Sequence, residues 1–101
     1  MKKISDLELK NRLDKGDELY ILDVREPHEF AENNMGGVLL PLGKIAQLEI
    51  DDIEDWRNKE VIVHCRSGMR SMQAIMMLES AGFSNLSNLE GGIIAWDALP
   101  K

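Results

Sequence analysis

Most of the reactive chemistry in this chain lies in one consecutive run, Cys65-Arg66-Ser67-Gly68-Met69-Arg70-Ser71. Cys65 is the only cysteine, so it has no disulfide partner within the chain and can act as a nucleophile. The thiolate is the reactive form, and an unperturbed thiol with a pKa of about 8.5 is mostly protonated at neutral pH. Each unit of pKa lowering requires about 1.4 kcal/mol in favour of the thiolate. Loop amides, the positive end of a following helix and the guanidiniums of Arg66 and Arg70 can supply this together. No histidine base is then required. His64 is poorly placed to serve as one, because adjacent residues leaving a strand point to opposite faces. It reads as a structural residue at a strand end, and His28 reads as solvated on a surface helix.

A nucleophile placed this way needs a strand to deliver it and a helix to follow it. Val61-Ile-Val63 is a β-branched run of strand type, and Ser71 to Ala81 reads as a helix. That helix is apolar over most of its circumference, so it is expected to be covered on more than one side, with Met72, Met76 and Met77 in the core. Gly82 supplies its left-handed cap and Phe83 packs back on its last turn. Met69 differs from the other methionines, since a position beside Gly68 exposes it at the rim of the site.

The rest of the chain supplies further strand and helix units. Ser5-Asp-Leu-Glu8 fits a capping box opening a helix that Gly16 ends. Leu19 to Val24 is a short apolar run without period-2 polarity, as in a strand covered on both faces. Pro27 suits the first turn of a helix over Glu26 to Glu32. Asn33-Asn-Met-Gly-Gly37 is a turn by composition, and Val38 to Pro41 an edge strand, because Pro41 cannot donate to a ladder. Lys44 to Ile50 and Asp51 to Trp56 read as short helices. Asn85 to Leu89 is a last strand, Gly91-Gly92 a turn close to the catalytic loop, and Ile93 to Trp96 a closing helix with Trp96 in the core. Strands alternating with helices predict a three-layer α/β fold with a mostly parallel sheet. Ligands collect at the carboxyl ends of such strands, where Asp23, Cys65 and Gly91 are all expected.

Composition narrows the function classes. A chain of 101 residues with 44% hydrophobic content is expected to form a single domain over 1–101. Its net charge of −6 argues against nucleic acid and anionic membrane surfaces as partners. No Cys/His spacing suits a metal, and no window approaches the roughly 18 apolar residues of a membrane span. The start of the chain carries no signal-peptide pattern, so a cytoplasmic location is expected.

With these pieces in order, the chain resembles the rhodanese-like sulfurtransferases, specifically the single-domain rhodaneses. The resemblance rests on Leu22-Asp-Val-Arg-Glu-Pro27 with Glu29-Phe30, Pro41-Leu42, Val63-His-Cys-Arg-Ser-Gly68 with Arg70-Ser71, Gly82-Phe83, and Asn88-Leu-Glu-Gly-Gly92 with Trp96. It implies a five-stranded, mostly parallel sheet flanked by helices, with the active site in the loop after the central strand. It also implies a sulfur-transfer cycle that needs no cofactor beyond a covalent persulfide on Cys65. In that cycle Cys65 takes the outer sulfur of a small anionic donor such as thiosulfate and passes it to a thiol or a protein acceptor. Arg66, Ser67, Gly68, Met69, Arg70 and Ser71 are then the substrate-binding residues, with Arg66 and Arg70 meeting the donor anion unless one of them pairs with a carboxylate such as Glu90. Asp23, Arg25 and Gly91 are structural residues near the site.

Related cysteine phosphatases and arsenate reductases of this fold use Cys-x5-Arg around a tetrahedral oxyanion, whereas Cys65 to Arg70 is Cys-x4-Arg. The shorter ring suits a sulfur atom and ranks phosphatase or arsenate reductase activity below sulfur transfer. The remaining alternatives are a carrier in a sulfur relay and a non-catalytic rhodanese-like binding module. Two departures from the family pattern stand out. Glu29 lies where some two-domain rhodaneses place a basic substrate contact, so donor preference is expected to differ. Asn33-Asn-Met-Gly-Gly-Val38 replaces a Gly-His-Ile-Pro-Gly-Ala turn, and loss of the proline is expected to loosen it.

Overall fold

The computed structural model describes residues 1–100. The β-branched run β4 (Val61–His64) is the middle strand of a five-stranded sheet and is buried along its whole length. It is preceded by β1 (Lys2–Ile4), α1 (Asp6–Asp14), β2 (Tyr20–Asp23), α2 (Pro27–Glu32), β3 (Val38–Leu39), α3 (Leu42–Ala46) and a 3-10 turn over Asp51–Trp56. It is followed by α4 (Met69–Ser80), β5 (Leu86–Leu89) and α5 (Gly92–Asp97).

The strand order is β1-β5-β4-β2-β3, and every pair is parallel. A parallel sheet must be covered on both faces, and the alternation along β4 divides the core accordingly. Val61, Val63 and Cys65 join Ile45 of α3 and Ala74, Ile75 and Leu78 of α4, while Ile62 packs with Leu9 of α1 and Trp96 of α5. The five-stranded, helix-flanked α/β architecture is therefore as expected. From β2 the chain turns outward to β3, and from β4 it turns the opposite way to β5. The crevice beyond the ends of β2 and β4 is thus the topological switch point, the usual ligand position in such sheets.

Local signals explain most of the boundaries. Ser5 Oγ accepts from the Glu8 amide at 3.1 Å and opens α1. Gly82, at φ +100°, provides the turn after α4. Two features differ from the sequence expectation. β1 pairs with β5 although Met1-Lys-Lys-Ile has no alternating pattern; only Ile4 is buried there, so the strand is held by backbone pairing at the sheet edge. Met72 and Met76 are exposed rather than in the core, because α4 packs on one side only and buries Ser71, Ala74, Ile75 and Leu78. Methionine is a good helix former whether or not it is covered, so its presence there does not report burial. Met77 is half-buried against the core, as expected.

Candidate active site

Cys65 is the first residue after β4, and α4 starts four residues later. The loop turns back at Gly68, whose φ of +117° few side chains adopt. This turn aims the Gly68 amide at the sulfur, and its N–H donates to Cys65 Sγ at 3.1 Å. Ser71 Oγ lies 3.4 Å from the same sulfur. Burial acts to raise the pKa of the thiol, which is only 1% exposed. The Ser71 hydroxyl and the amides of Ser71, Gly68 and Ser67 act the other way and prevail, so the thiol is held below its ordinary value.

Asn88, on β5, ties the loop to the sheet. Its Nδ2 donates to the Gly68 carbonyl at 3.1 Å, and its Oδ1 lies 2.6 Å from Ser71 Oγ. The other side of the loop rests on the start of α5. The amides of Ile93 and Ile94 donate to the carbonyls of Cys65 and Arg66 at 2.9 and 3.2 Å. Gly92 makes this approach possible: a Cβ at that position would lie 2.6 Å from the Cys65 carbonyl oxygen. Gly91, at φ +75°, forms the N-cap of α5 just before it.

The substrate-binding candidates fall into different environments. Arg66, Ser67 and Met69 are exposed at the mouth of the loop, Gly68 is half-buried, and Ser71 is buried beside the thiol. Arg66 forms no ion pair among the described residues. Arg70 is paired with Glu29 on α2, not with Glu90. The contact is two-pronged, with Nη1 to Oε1 at 2.6 Å and Nη2 to Oε2 at 2.9 Å. Glu29 Oε1 also accepts from the Glu26 amide at 3.0 Å, as part of a capping box that opens α2. The Arg70 hydrogen bonds, outweighing desolvation, hold the Glu29 carboxyl at about 2.

Beneath the loop, Asp23 and Arg25 form a buried pair. Arg25 Nη2 donates to Asp23 Oδ2 at 2.7 Å and to the Asn33 carbonyl at 2.7 Å. Arg25 thus braces the turn that lacks the family proline, and Asn34 reinforces it by accepting from the Gly36 amide at 3.0 Å. His64 is fully buried with Nε2 3.8 Å from Asp23 Oδ2, and neither ring nitrogen has a hydrogen-bond partner among the described residues. Burial lowers its pKa despite the nearby Asp23 carboxylate.

The sequence reading gave Asn88 no role, and it singled out Glu29 for donor preference without foreseeing its pairing with Arg70. Asn88 lies directly across the sheet from Val63, a register visible only once β4 and β5 are paired. Glu29 is followed in sequence by Phe30 and is far from Arg70; only the packing of α2 brings the two together.

Comparisons with known proteins bear on the fold that carries this loop. The chain is 37% identical over 102 residues to the YtwF protein of Bacillus subtilis, covering 100% of this chain and 95% of that protein. It is 36% identical over 89 residues to a sulfurtransferase of Allochromatium vinosum, covering 87% of this chain and 80% of that one. A crystal structure of a rhodanese-like domain protein from Staphylococcus aureus superposes with a TM-score of 0.82 at 33% identity, over 95% of this chain and 91% of that one. The rhodanese-like domain model matches residues 5–99, and the chain belongs to the rhodanese-like family.

Proposed function

We propose that this protein is a sulfurtransferase that takes a sulfane sulfur from a donor such as thiosulfate, carries it as a persulfide on Cys65 and delivers it to a thiophilic acceptor. The observation that carries this reading is the position of Cys65 Sγ, 3.1 Å from the Gly68 amide in a setting that favours the thiolate. The Allochromatium vinosum relative supports the reaction class.

In the first half-reaction the Cys65 thiolate attacks the outer sulfur of thiosulfate. A new S–S bond forms to Cys65 while the donor's S–S bond breaks, and its electron pair leaves with sulfite. In the second, an acceptor nucleophile attacks the outer persulfide sulfur and the electron pair returns to Cys65 as thiolate, which is a ping-pong cycle. Cyanide serves as the acceptor in assays, and a thiol or a partner protein in cells. The loop amides stabilise negative charge on sulfur in both halves. The sulfur travels covalently on Cys65 itself, and a thiol-reducing compartment such as the cytoplasm keeps the resting Cys65 a free thiol.

Arg66 meets the donor anion at the mouth, and Met69 contacts the acceptor. The Ser67, Gly68 and Ser71 amides line the sulfur. Retention of Cys65 with both arginines favours an enzyme over a non-catalytic binding module, and the Cys-x4-Arg spacing favours sulfur over phosphoryl transfer. The same persulfide also suits a sulfur relay. Incubation with thiosulfate followed by intact mass measurement is expected to show the gain of one sulfur atom that dithiothreitol removes and that Cys65→Ser lacks. Failure of the wild-type protein to gain it would overturn persulfide formation from thiosulfate.

A further inference from the structure

The Glu29–Arg70 pair ties α2 to the start of α4 beside the Cys65 loop, where the Arg70 charge reaches Cys65, and so alters the charge an incoming donor meets. Arg70 lies in the first turn of α4 and its charge interacts with that of Cys65. Both of its terminal nitrogens are taken by the Glu29 carboxylate, at 2.6 and 2.9 Å. The carboxylate is not a loose surface group, since its Oε1 also accepts from the Glu26 amide at 3.0 Å. Its side chain is 18% exposed, and the Arg70 guanidinium holds its pKa well below that of an ordinary carboxylate. Deeper in the site, Arg25 is neutralised by Asp23 at 2.7 Å. Of the three guanidiniums around the loop, only Arg66 is uncompensated by a carboxylate among the described residues. Glu26 adds a further negative charge within range of Arg70.

Thiosulfate carries two negative charges and approaches a site whose own nucleophile is anionic. It must either displace Glu29 from Arg70 or accept the carboxylate as a neighbour. A singly charged sulfane donor incurs less of this repulsion. We infer that Glu29 is a specificity-determining residue: by occupying Arg70 it selects singly charged sulfane donors, persulfides above all, over dianionic thiosulfate. Specificity of this kind comes from a repulsive element built against the competing ligand. A persulfide arrives as R–S–S⁻ and reacts through its protonated form R–S–SH: the Cys65 thiolate attacks the outer sulfur, the donor's S–S bond breaks, R–S⁻ leaves with the electron pair, and the proton stays on the outer sulfur now bonded to Cys65. The inference rests on the sulfur-transfer reading and names the donor class for the same thiol.

Methanethiosulfonate provides the test, because it matches thiosulfate with a methyl group in place of one charged oxygen and so carries one charge fewer. Its attack by the thiolate gives the same Cys65 persulfide and releases methanesulfinate. The ratio of kcat/KM for thiosulfate to that for methanethiosulfonate is measured at fixed ionic strength in the wild type and in Glu29→Gln. Glutamine keeps the acceptor that the α2 capping box needs, so the fold is retained. The ratio is expected to rise about tenfold, the scale of one unit charge at a partly hydrated rim. Glu29→Ala, which removes the charge without leaving an acceptor, is expected to move it in the same direction. An unchanged or lower ratio in either folded variant would show that Glu29 only orients Arg70, and would overturn the inference. Loss of sulfur loading from both donors in the wild type would instead overturn the sulfur-transfer reading.

Discussion

Ser71 Oγ stands 2.6 Å from Asn88 Oδ1 and 3.4 Å from Cys65 Sγ, so the structural contact is shorter than the catalytic one. A hydroxyl has one proton to give. Asn88 must turn its NH₂ toward the Gly68 carbonyl, 3.1 Å away, which leaves its carbonyl oxygen facing Ser71. Ser71 Oγ also lies 3.1 Å from the Gly68 carbonyl oxygen, so its one proton has two oxygen acceptors besides the sulfur. Ionisation of Cys65 draws that proton toward sulfur. A Ser71 hydroxyl turned to the sulfur favours the thiolate.

Ser71→Ala removes the hydroxyl and leaves the loop amides in place. It is expected to raise the pH midpoint of Cys65 alkylation and slow iodoacetamide labelling at pH 7 by about three- to tenfold, the scale of one ordinary net hydrogen bond. The wild-type midpoint is expected below the roughly 8.5 of an unperturbed thiol. Identical pH profiles for the two proteins would remove Ser71 from thiolate stabilisation.

Gly92 and Gly36 separate backbone conformation from steric contact. Both have positive φ, +58° and +86°, but a Cβ on Gly36 meets nothing within 4 Å, whereas one on Gly92 meets the Cys65 and Arg66 carbonyls. Gly36→Ala is expected to cost about 1–2 kcal/mol, the conformational penalty alone. Gly92→Ala must also displace the catalytic loop and is expected to cost about 2–4 kcal/mol, lowering Tm by about 10–20 °C. It should also reduce persulfide yield in whatever protein remains folded, as read by intact mass, while Gly36→Ala should not. Equal thermal shifts for the two would mean that the loop yields freely to Gly92.

Arg66 has no carboxylate partner among the described residues, whereas Arg70 pairs with Glu29 and Arg25 with Asp23. Arg66→Ala is expected to lower kcat/KM for thiosulfate about tenfold, mainly through KM, as loss of binding shared by ground and transition states. It should also flatten the dependence on ionic strength, since an exposed charge is screened by salt. Steady-state kinetics at two salt concentrations check both points, and a fall in kcat with KM unchanged would place Arg66 on the departing sulfite instead.

The parts of the fold set by local chemistry were legible in the chain. Val61 to Val63 could only be a covered strand, Ser5 announced α1, and His64 and Cys65 had to leave β4 on opposite faces, as their neighbours Ile62 and Val63 do in the core. Contacts made across elements were not legible. Nothing near Arg70 in sequence indicates Glu29, and nothing near Ser71 indicates Asn88, because both depend on how α2 and β5 pack beside the loop. β1 was missed because a strand of two lysines and one buried isoleucine is specified by the edge of β5 rather than by its own pattern. Met72 and Met76 misled because an apolar side chain records what a helix tolerates, not what covers it.

His64 should govern how the fold responds to mild acid. Its ring is fully buried, neither nitrogen is paired among the described residues, and the ionisable groups acting on it are Asp23, Arg25 and Asp97. Burial lowers its folded-state pKa below the 6.5 of a free histidine. Above that pH the ring is neutral in both states and contributes no pH dependence. As pH falls below 6.5 the unfolded chain binds a proton that the folded protein refuses, so stability falls, with a slope approaching about 1.4 kcal/mol per pH unit. Glu29 acts lower: its folded pKa of about 2 lies beneath an ordinary 4.5, so its contribution is lost only as pH drops below 4.5. Between about pH 6.5 and 5, thermal melts of the wild type should therefore show a decline that His64→Leu lacks. The same decline in both proteins would assign it to other groups and would mean that His64 finds a partner for its proton in solution.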